Sequence, residues 1–206
     1  MMNRFLKKSS KTLASICLAA TLFAGTGCAK IFPEKYKMRP DKLAVLVIDM
    51  QDYWLSEVDE KEIEKELPYH LEVLEYCAKN NITVFVIEYK TCGQTTPYLD
   101  NKLRDMHKKE YIKKSARSAF QNTGLEAKLK SQGIDTLVLM GVYASHCVKD
   151  TAESALDAGF DIATSKDLIS DNRHDAKRKE NVEWYKEHGL YFDDYKKLLS
   201  SIQPEG

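Results

Sequence analysis

The chain of 206 residues has little of what would set it apart from an ordinary globular protein. Nine glycines and five prolines are too few for a collagen-like or low-complexity chain, and no internal repeat is evident. Excess charge of either sign is missing as well. With 31 basic residues against 31 acidic ones there is no polycationic surface to hold a phosphate backbone, so no nucleic-acid partner is expected. No apolar run reaches the roughly 20 residues of a spanning helix. The uncharged residues 12–27 fall short of that length, and they follow a basic cluster of Arg4, Lys7, Lys8 and Lys11.

Basic residues, a short apolar stretch and then small residues make up an export signal, so residues 1–27 are read as a signal peptide. Ala24-Gly25-Thr26-Gly27 ahead of Cys28 resembles a bacterial lipobox, although Gly25 stands where a larger aliphatic residue is usual. The resemblance implies cleavage before Cys28, lipidation of Cys28 and a cell-envelope lipoprotein anchored to a membrane. Simple secretory cleavage and an uncleaved anchor are the alternatives. Cleavage would remove four basic and no acidic residues, leaving a net charge of −4. Residues 28–42 carry Pro33 and Pro40 and no clean periodicity, which reads as a tether. The folded domain is expected over residues 43–206.

From Leu43 onward, apolar runs alternate with helical patterns. Residues 43–48, 82–87 and 136–142 read as buried strands, 111–112 and 160–164 as weaker ones. Helical spacing covers 63–80, with Pro68 as a break or restart, then 98–106, 124–131, 147–158 and most of 181–199. Strands buried on both faces and separated by helices predict a three-layer α/β/α fold with a central, mainly parallel sheet, Rossmann-like in its winding. Such sheets bind ligands beyond the C-terminal ends of their strands. Asp49 ends the first strand, and Cys147 opens the helix after the strand at 136–142.

A cysteine at a helix start meets unpaired N–H groups and a partial positive charge, both of which favour a thiolate and a nearby oxyanion. A buried structural cysteine is the plain alternative. Three segments bear on that choice: Val45-Leu46-Val47-Ile48-Asp49-Met50-Gln51, Lys114-Ser115-Ala116-Arg117-Ser118-Ala119-Phe120 and Gly141-Val142-Tyr143-Ala144-Ser145-His146-Cys147-Val148. In this order they resemble the isochorismatase-like cysteine hydrolase superfamily, which includes nicotinamidases and N-carbamoylsarcosine amidohydrolases. The resemblance runs from Leu43 to about Asp171.

The resemblance implies a catalytic triad of Asp49, Lys114 and Cys147. Cys147 would attack an amide or ureide carbonyl, Asp49 would take the thiol proton and pass it to the leaving amine, and Lys114 would orient Asp49. Lys113 is the rival for the lysine role. It further implies a cis peptide at Val142–Tyr143, with the amides of Tyr143 and Cys147 forming the oxyanion hole. Tyr143 stands where many relatives carry a small residue. Gln51, Tyr53, Trp54 and Tyr143 are candidate pocket residues. Nicotinamidases of the superfamily hold a divalent metal through an Asp-x-His motif after the second strand. Here that stretch reads Glu88-Tyr89-Lys90-Thr91-Cys92 without histidine, so neither metal nor cofactor is expected. His146, His174 and His188 read as packing or surface residues. Cys77 and Cys92 are either paired or free.

The expected activity is a metal-independent cysteine hydrolase that cleaves a C–N bond of a small amide or ureide through a thioester, in a protein forming homo-oligomers as its relatives do. The alternatives are an isochorismatase-type vinyl-ether hydrolase, a catalytically inactive envelope lipoprotein that binds ligands, and a thiol redox sensor pairing Cys147 with Cys92. Relatives with the vinyl-ether activity lack the nucleophilic cysteine, which counts against the first of these.

Overall fold

The structure, a computed structural model, describes residues 37–172 and 178–203. The export signal, Cys28 and His174 lie outside the described residues. In chain order the elements are β1 (Leu43–Ile48), α1 (Asp52–Leu55), α2 (Glu60–Lys79), β2 (Thr83–Tyr89), α3 (Pro97–Arg104), β3 (Lys109–Lys114) and α4 (Leu125–Ser131). They continue as β4 (Thr136–Val142), α5 (Cys147–Asp157), β5 (Asp161–Ser165), β6 (Ile169–Ser170), α6 (Arg178–His188), β7 (Leu190–Phe192) and α7 (Tyr195–Ser201). The strands run in the order β3-β2-β1-β4-β5-β7, with β6 beside the end of β4, and every pairing is parallel.

Parallel strands must be covered on both faces, and β1 shows how the sequence achieves this. Leu43, Val45 and Val47 point into one core with residues of α2, α3 and α7. Ala44, Leu46 and Ile48 point into the other with α4, α5 and α6. The result is the expected three-layer α/β/α fold with a central parallel sheet.

Three local expectations change. Pro68 neither breaks nor restarts α2, which runs unbroken through it. Asp59 caps the helix by accepting from the amides of Lys61 and Glu62, and a buried stripe of Glu66, His70, Val73, Leu74 and Cys77 pins it to the sheet. That packing offsets the hydrogen bond which proline removes. The helix expected over 181–199 is instead α6 and α7 separated by β7, which pairs with β5. The chain crosses at Gly189, where a side chain would meet Ile162 Cγ1 at 2.5 Å. Finally, the fold begins ahead of Leu43. Met38 bridges to Ile202, donates to the Ser201 carbonyl at 2.8 Å and is fully buried, so residues 38–42 belong to the domain and not to a tether. Among the described residues, no helix is long and apolar enough to cross a membrane.

Gly141 leaves no room for a side chain between β1 and β4. It has φ +129°, and a Cβ there would lie 2.0 Å from the Ile48 carbonyl oxygen. Gly141→Ala is expected to lower the melting temperature by roughly 10 °C or more, because a strained backbone of about 1–3 kcal/mol is compounded by a backbone clash. Thermal unfolding followed by circular dichroism measures it, and a change of under about 3 °C would refute this account.

Candidate active site

The C-terminal ends of β1, β3 and β4 deliver three side chains to one place. Asp49 follows β1 in a left-handed conformation (φ +52°), held by its amide on the Ile87 carbonyl at 2.9 Å and by its own carbonyl accepting from the Gln51 amide at 2.8 Å. Lys114 is the last residue of β3. Since β2 lies between β3 and β1, the two strands stand about 10 Å apart, two strand spacings, and Lys114 and Asp49 bridge that gap by reaching toward each other beyond the end of β2. Its Nζ lies 2.7 Å from Asp49 Oδ2, and it also donates to the carbonyls of Arg117 at 2.8 Å and Ala116 at 3.3 Å. Lys114 is 0% and Asp49 1% exposed. The ring of Tyr89 roofs the ammonium at 5.3 Å. The ion pair with Lys114 uses Asp49 Oδ2, so the carboxylate keeps lone pairs for a proton from elsewhere.

That proton belongs to Cys147, the first residue of α5 and 8% exposed. Burial pushes the thiol up to about 12, the Asp49 charge adds to this, and Lys114 opposes it. Burial also raises Asp49, against the pull of Lys114 and of the thiol beside it. The helix start and Lys114 were expected to favour a thiolate. Burial and the facing carboxylate outweigh them, so the resting group is a thiol with a carboxylate at hand.

The Val142–Tyr143 peptide is cis. Other amides of the following turn are engaged: Ala144 donates to the Ser170 carbonyl at 2.8 Å, Ser145 to Asp171 Oδ1 at 2.6 Å, and His146 and Val148 to the Tyr143 carbonyl at 3.0 and 3.1 Å. The Tyr143 hydroxyl donates to the Trp54 carbonyl at 2.7 Å, tying this turn to α1. Trp54 is the hub of an edge-to-face set, 5.9 Å from Tyr143, 5.8 Å from Tyr89 and 4.9 Å from Tyr53. Tyr53 itself is 62% exposed.

Some candidates do other work. The Gln51 carboxamide is spent on backbone: its Nε2 donates to the carbonyls of Tyr89 and Gly93, and its Oε1 accepts from the Tyr89 amide. It thus clips down the loop after β2 and contributes no free group to a pocket. Lys113 pairs with Glu88 and not with Asp49. Adjacent strand residues face opposite ways, which separates the two lysines. Glu88, in the stretch compared above with the Asp-x-His motif of nicotinamidases, is buried and accepts from the Thr95 amide at 2.6 Å and hydroxyl at 2.9 Å as well as from Lys113. An ammonium already stands where a divalent cation would have to bind, so these residues do not fit a metal. Among the described residues no three His, Cys, Asp or Glu side chains cluster as metal ligands. His146 Nδ1 contacts the Ser145 hydroxyl, and His188 stacks on Trp184. Cys77 and Cys92 are free thiols, the first buried and the second half-buried.

Ser170 and Asp171, which grip the turn ahead of Cys147, carried no signal in the sequence. Their role comes from β6 lying beside β4, a long-range pairing of two residues.

A parallel α/β sheet with a carboxylate, a lysine and a cysteine gathered beyond its strand ends is the layout of a hydrolase. Residues 43–188 match the isochorismatase domain family, and the chain belongs to that family of hydrolases. Over 73 residues it is 36% identical to N-carbamoylsarcosine amidase of Arthrobacter sp., covering 35% of this chain and 28% of that protein. Over 64 residues it is 34% identical to maleamate amidohydrolase of Pseudomonas putida, covering 31% and 30%. The chain thus matches about three-tenths of the length of these two relatives. In fold it resembles the nicotinamidase SaPncA of Staphylococcus aureus (TM-score 0.66, 16% identity, 74% of this chain and 98% of that one). It also resembles an isochorismatase-like hydrolase of Alkaliphilus metalliredigens (TM-score 0.67, 23% identity, 79% and 97%).

A thiol held near 12 reacts only through its small thiolate fraction. Alkylation of Cys147 by iodoacetamide in the substrate-free protein is therefore expected to rise about tenfold per pH unit from pH 7 to 10. A plateau below pH 8, read by mass spectrometry of the Cys147 peptide, would show a preformed thiolate instead.

Proposed function

We propose that the protein is a metal-independent cysteine amidohydrolase acting on a small amide or ureide. The observation that carries this reading is the buried Lys114–Asp49 ion pair placed beside a protonated Cys147. The likeness to two amide-cleaving enzymes supports it.

The steps follow from the charges. Cys147 Sγ bonds to the carbonyl carbon while its proton passes to Asp49, a base made available only as the thiol becomes a nucleophile. The carbonyl oxygen takes the negative charge, and the amides of Tyr143 and Cys147 receive it. Collapse breaks the C–N bond, Asp49 returns the proton to the departing amine, and a thioester remains. Water then attacks the thioester and gives a proton to Asp49, and the second collapse yields the acid and restores the thiol. Lys114 stays charged throughout; its three donors, fixed on Asp49, Ala116 and Arg117, keep the carboxylate aimed. Trp54 stands edge-to-face with Tyr143 and with Tyr89, whose ring covers the Lys114 ammonium, and an aromatic set in that position suits a compact planar group.

Ammonia release from a panel of small amides and ureides tests the activity. Cys147→Ala is expected to lower kcat by about 10⁴ or more while leaving the melting temperature within a few degrees, since the nucleophile acts as a unit with its base. Residual turnover within tenfold of the native rate would refute a covalent mechanism.

The N-terminal segment supports a second part of the proposal, an envelope lipoprotein anchored through Cys28. Cys28→Ser is expected to move the protein from the membrane fraction to the soluble fraction when it is expressed in a bacterium. Unchanged membrane retention would overturn lipid anchoring in favour of an uncleaved apolar segment.

A further inference from the structure

Helix α2 carries into the interior a carboxylate that the proposed mechanism does not use. Glu66 is 6% exposed, and one turn further His70 is also buried. Ser170 donates its hydroxyl to Glu66 Oε2. Ser170 belongs to β6, which pairs with Gly141 and Val142 at the end of β4. Its carbonyl accepts the amide of Ala144 at 2.8 Å, and the next residue, Asp171, accepts that of Ser145 at 2.6 Å. A carboxylate on α2 is therefore two hydrogen bonds away from the turn that ends at Cys147. Nothing in the chemistry derived above asks for it.

We propose that Glu66 is a positioning residue: by holding Ser170 it fixes residues 142–146, and the charge it carries sets how firmly that turn is held. The consequence for turnover rests on the amidohydrolase reading; the mechanical link does not.

The surroundings of Glu66 make its charge changeable. On α2, Lys65 is the exposed neighbour and His70 lies one turn on; across from them are Asp167, between β5 and β6, and Ser170. Burial holds His70 down to about 4, so it is neutral, and its ring rests near the Leu168 backbone without a hydrogen bond of full geometry. Burial likewise pushes Glu66 up to about 7; the Ser170 hydroxyl opposes this, Asp167 adds to it, and Lys65 opposes it. The carboxyl therefore changes charge near neutral pH. A hydroxyl bond to a carboxylate is roughly twice as strong as one to a neutral acceptor, so the ionised group grips Ser170 harder. The turn tightens as pH rises through about 7 and loosens as it falls.

Amide hydrogen exchange of the full chain between pH 6 and pH 8, corrected for the intrinsic rate, tests the link without a substrate. Protection of the Ala144 and Ser145 amides is expected to rise about fivefold over that range in the native protein, in keeping with a charge-assisted bond. It is expected to stay level in Glu66→Gln and in Ser170→Ala. A purely structural role would lower protection equally at both pH values. In parallel, kcat for ammonia release from the amide and ureide panel is expected to fall by a similar factor from pH 8 to pH 6 in the native protein. Glu66→Gln should lose that component with KM unmoved. A pH step in exchange that persists in Glu66→Gln overturns the proposal, even if turnover is found. A step abolished in the variants of a protein that turns over nothing upholds the link and sinks the amidohydrolase reading. Should Glu66→Gln fail to fold, Ser170→Ala decides alone: a persisting step overturns the proposal and a lost one supports it.

Discussion

Two buried charges, Lys114 and Asp49, decide what the rest of this molecule has to be. Neither is tolerable alone in a dry interior, where removing one partner of such a pair costs about 3–5 kcal/mol. They come from strands that are not neighbours, so the ammonium reaches across the end of β2 to find its carboxylate. The order β3-β2-β1 is thus a requirement of the site as well as a feature of the fold. The backbone carbonyls of Ala116 and Arg117 and the Tyr89 ring complete the enclosure of the lysine, and the Gln51 clip keeps the loop after β2 in place around it.

Burial sets the state of the third residue. It holds the Cys147 thiol protonated, the Asp49 charge adds to this and Lys114 opposes it. The nucleophile is therefore made only when a carbonyl is present to take up the displaced charge. For a chain read as exported, this has a second value, because oxidants attack thiolates and spare thiols. A cysteine that stays protonated in an oxidising compartment keeps its function longer.

The sequence was most readable where burial dictates composition. The apolar runs of β1, β2 and β4 could not be anything but interior strands, and Asp49 and Cys147 were legible because they sit at the ends of such runs. Elements of two to four residues, α1, β6 and β7, left no pattern to read, and β7 hid inside a stretch of helical spacing. The resemblance alone favoured Lys114 over Lys113; the physical reason, strand phase, is visible only once β3 is paired with β2. Gln51 looked like a pocket residue because its neighbours do; its bonds to Tyr89 and Gly93 depend on a loop folded back from 38 residues away. Glu66 and Asp171 were invisible for the same reason, as their partners come from remote segments. The direction of the Cys147 shift was misread because a helix start is a local feature, whereas burial is a property of the whole fold.

The chain enters the sheet at Leu43, the N-terminal edge of β1, while Asp49 and Cys147 sit beyond the opposite edge. Six residues of extended strand, roughly 20 Å, separate the two. The chain therefore comes into the sheet at one edge and places Asp49 and Cys147 beyond the other, so a support coupled on the entry side would lie a strand's length from the nucleophile.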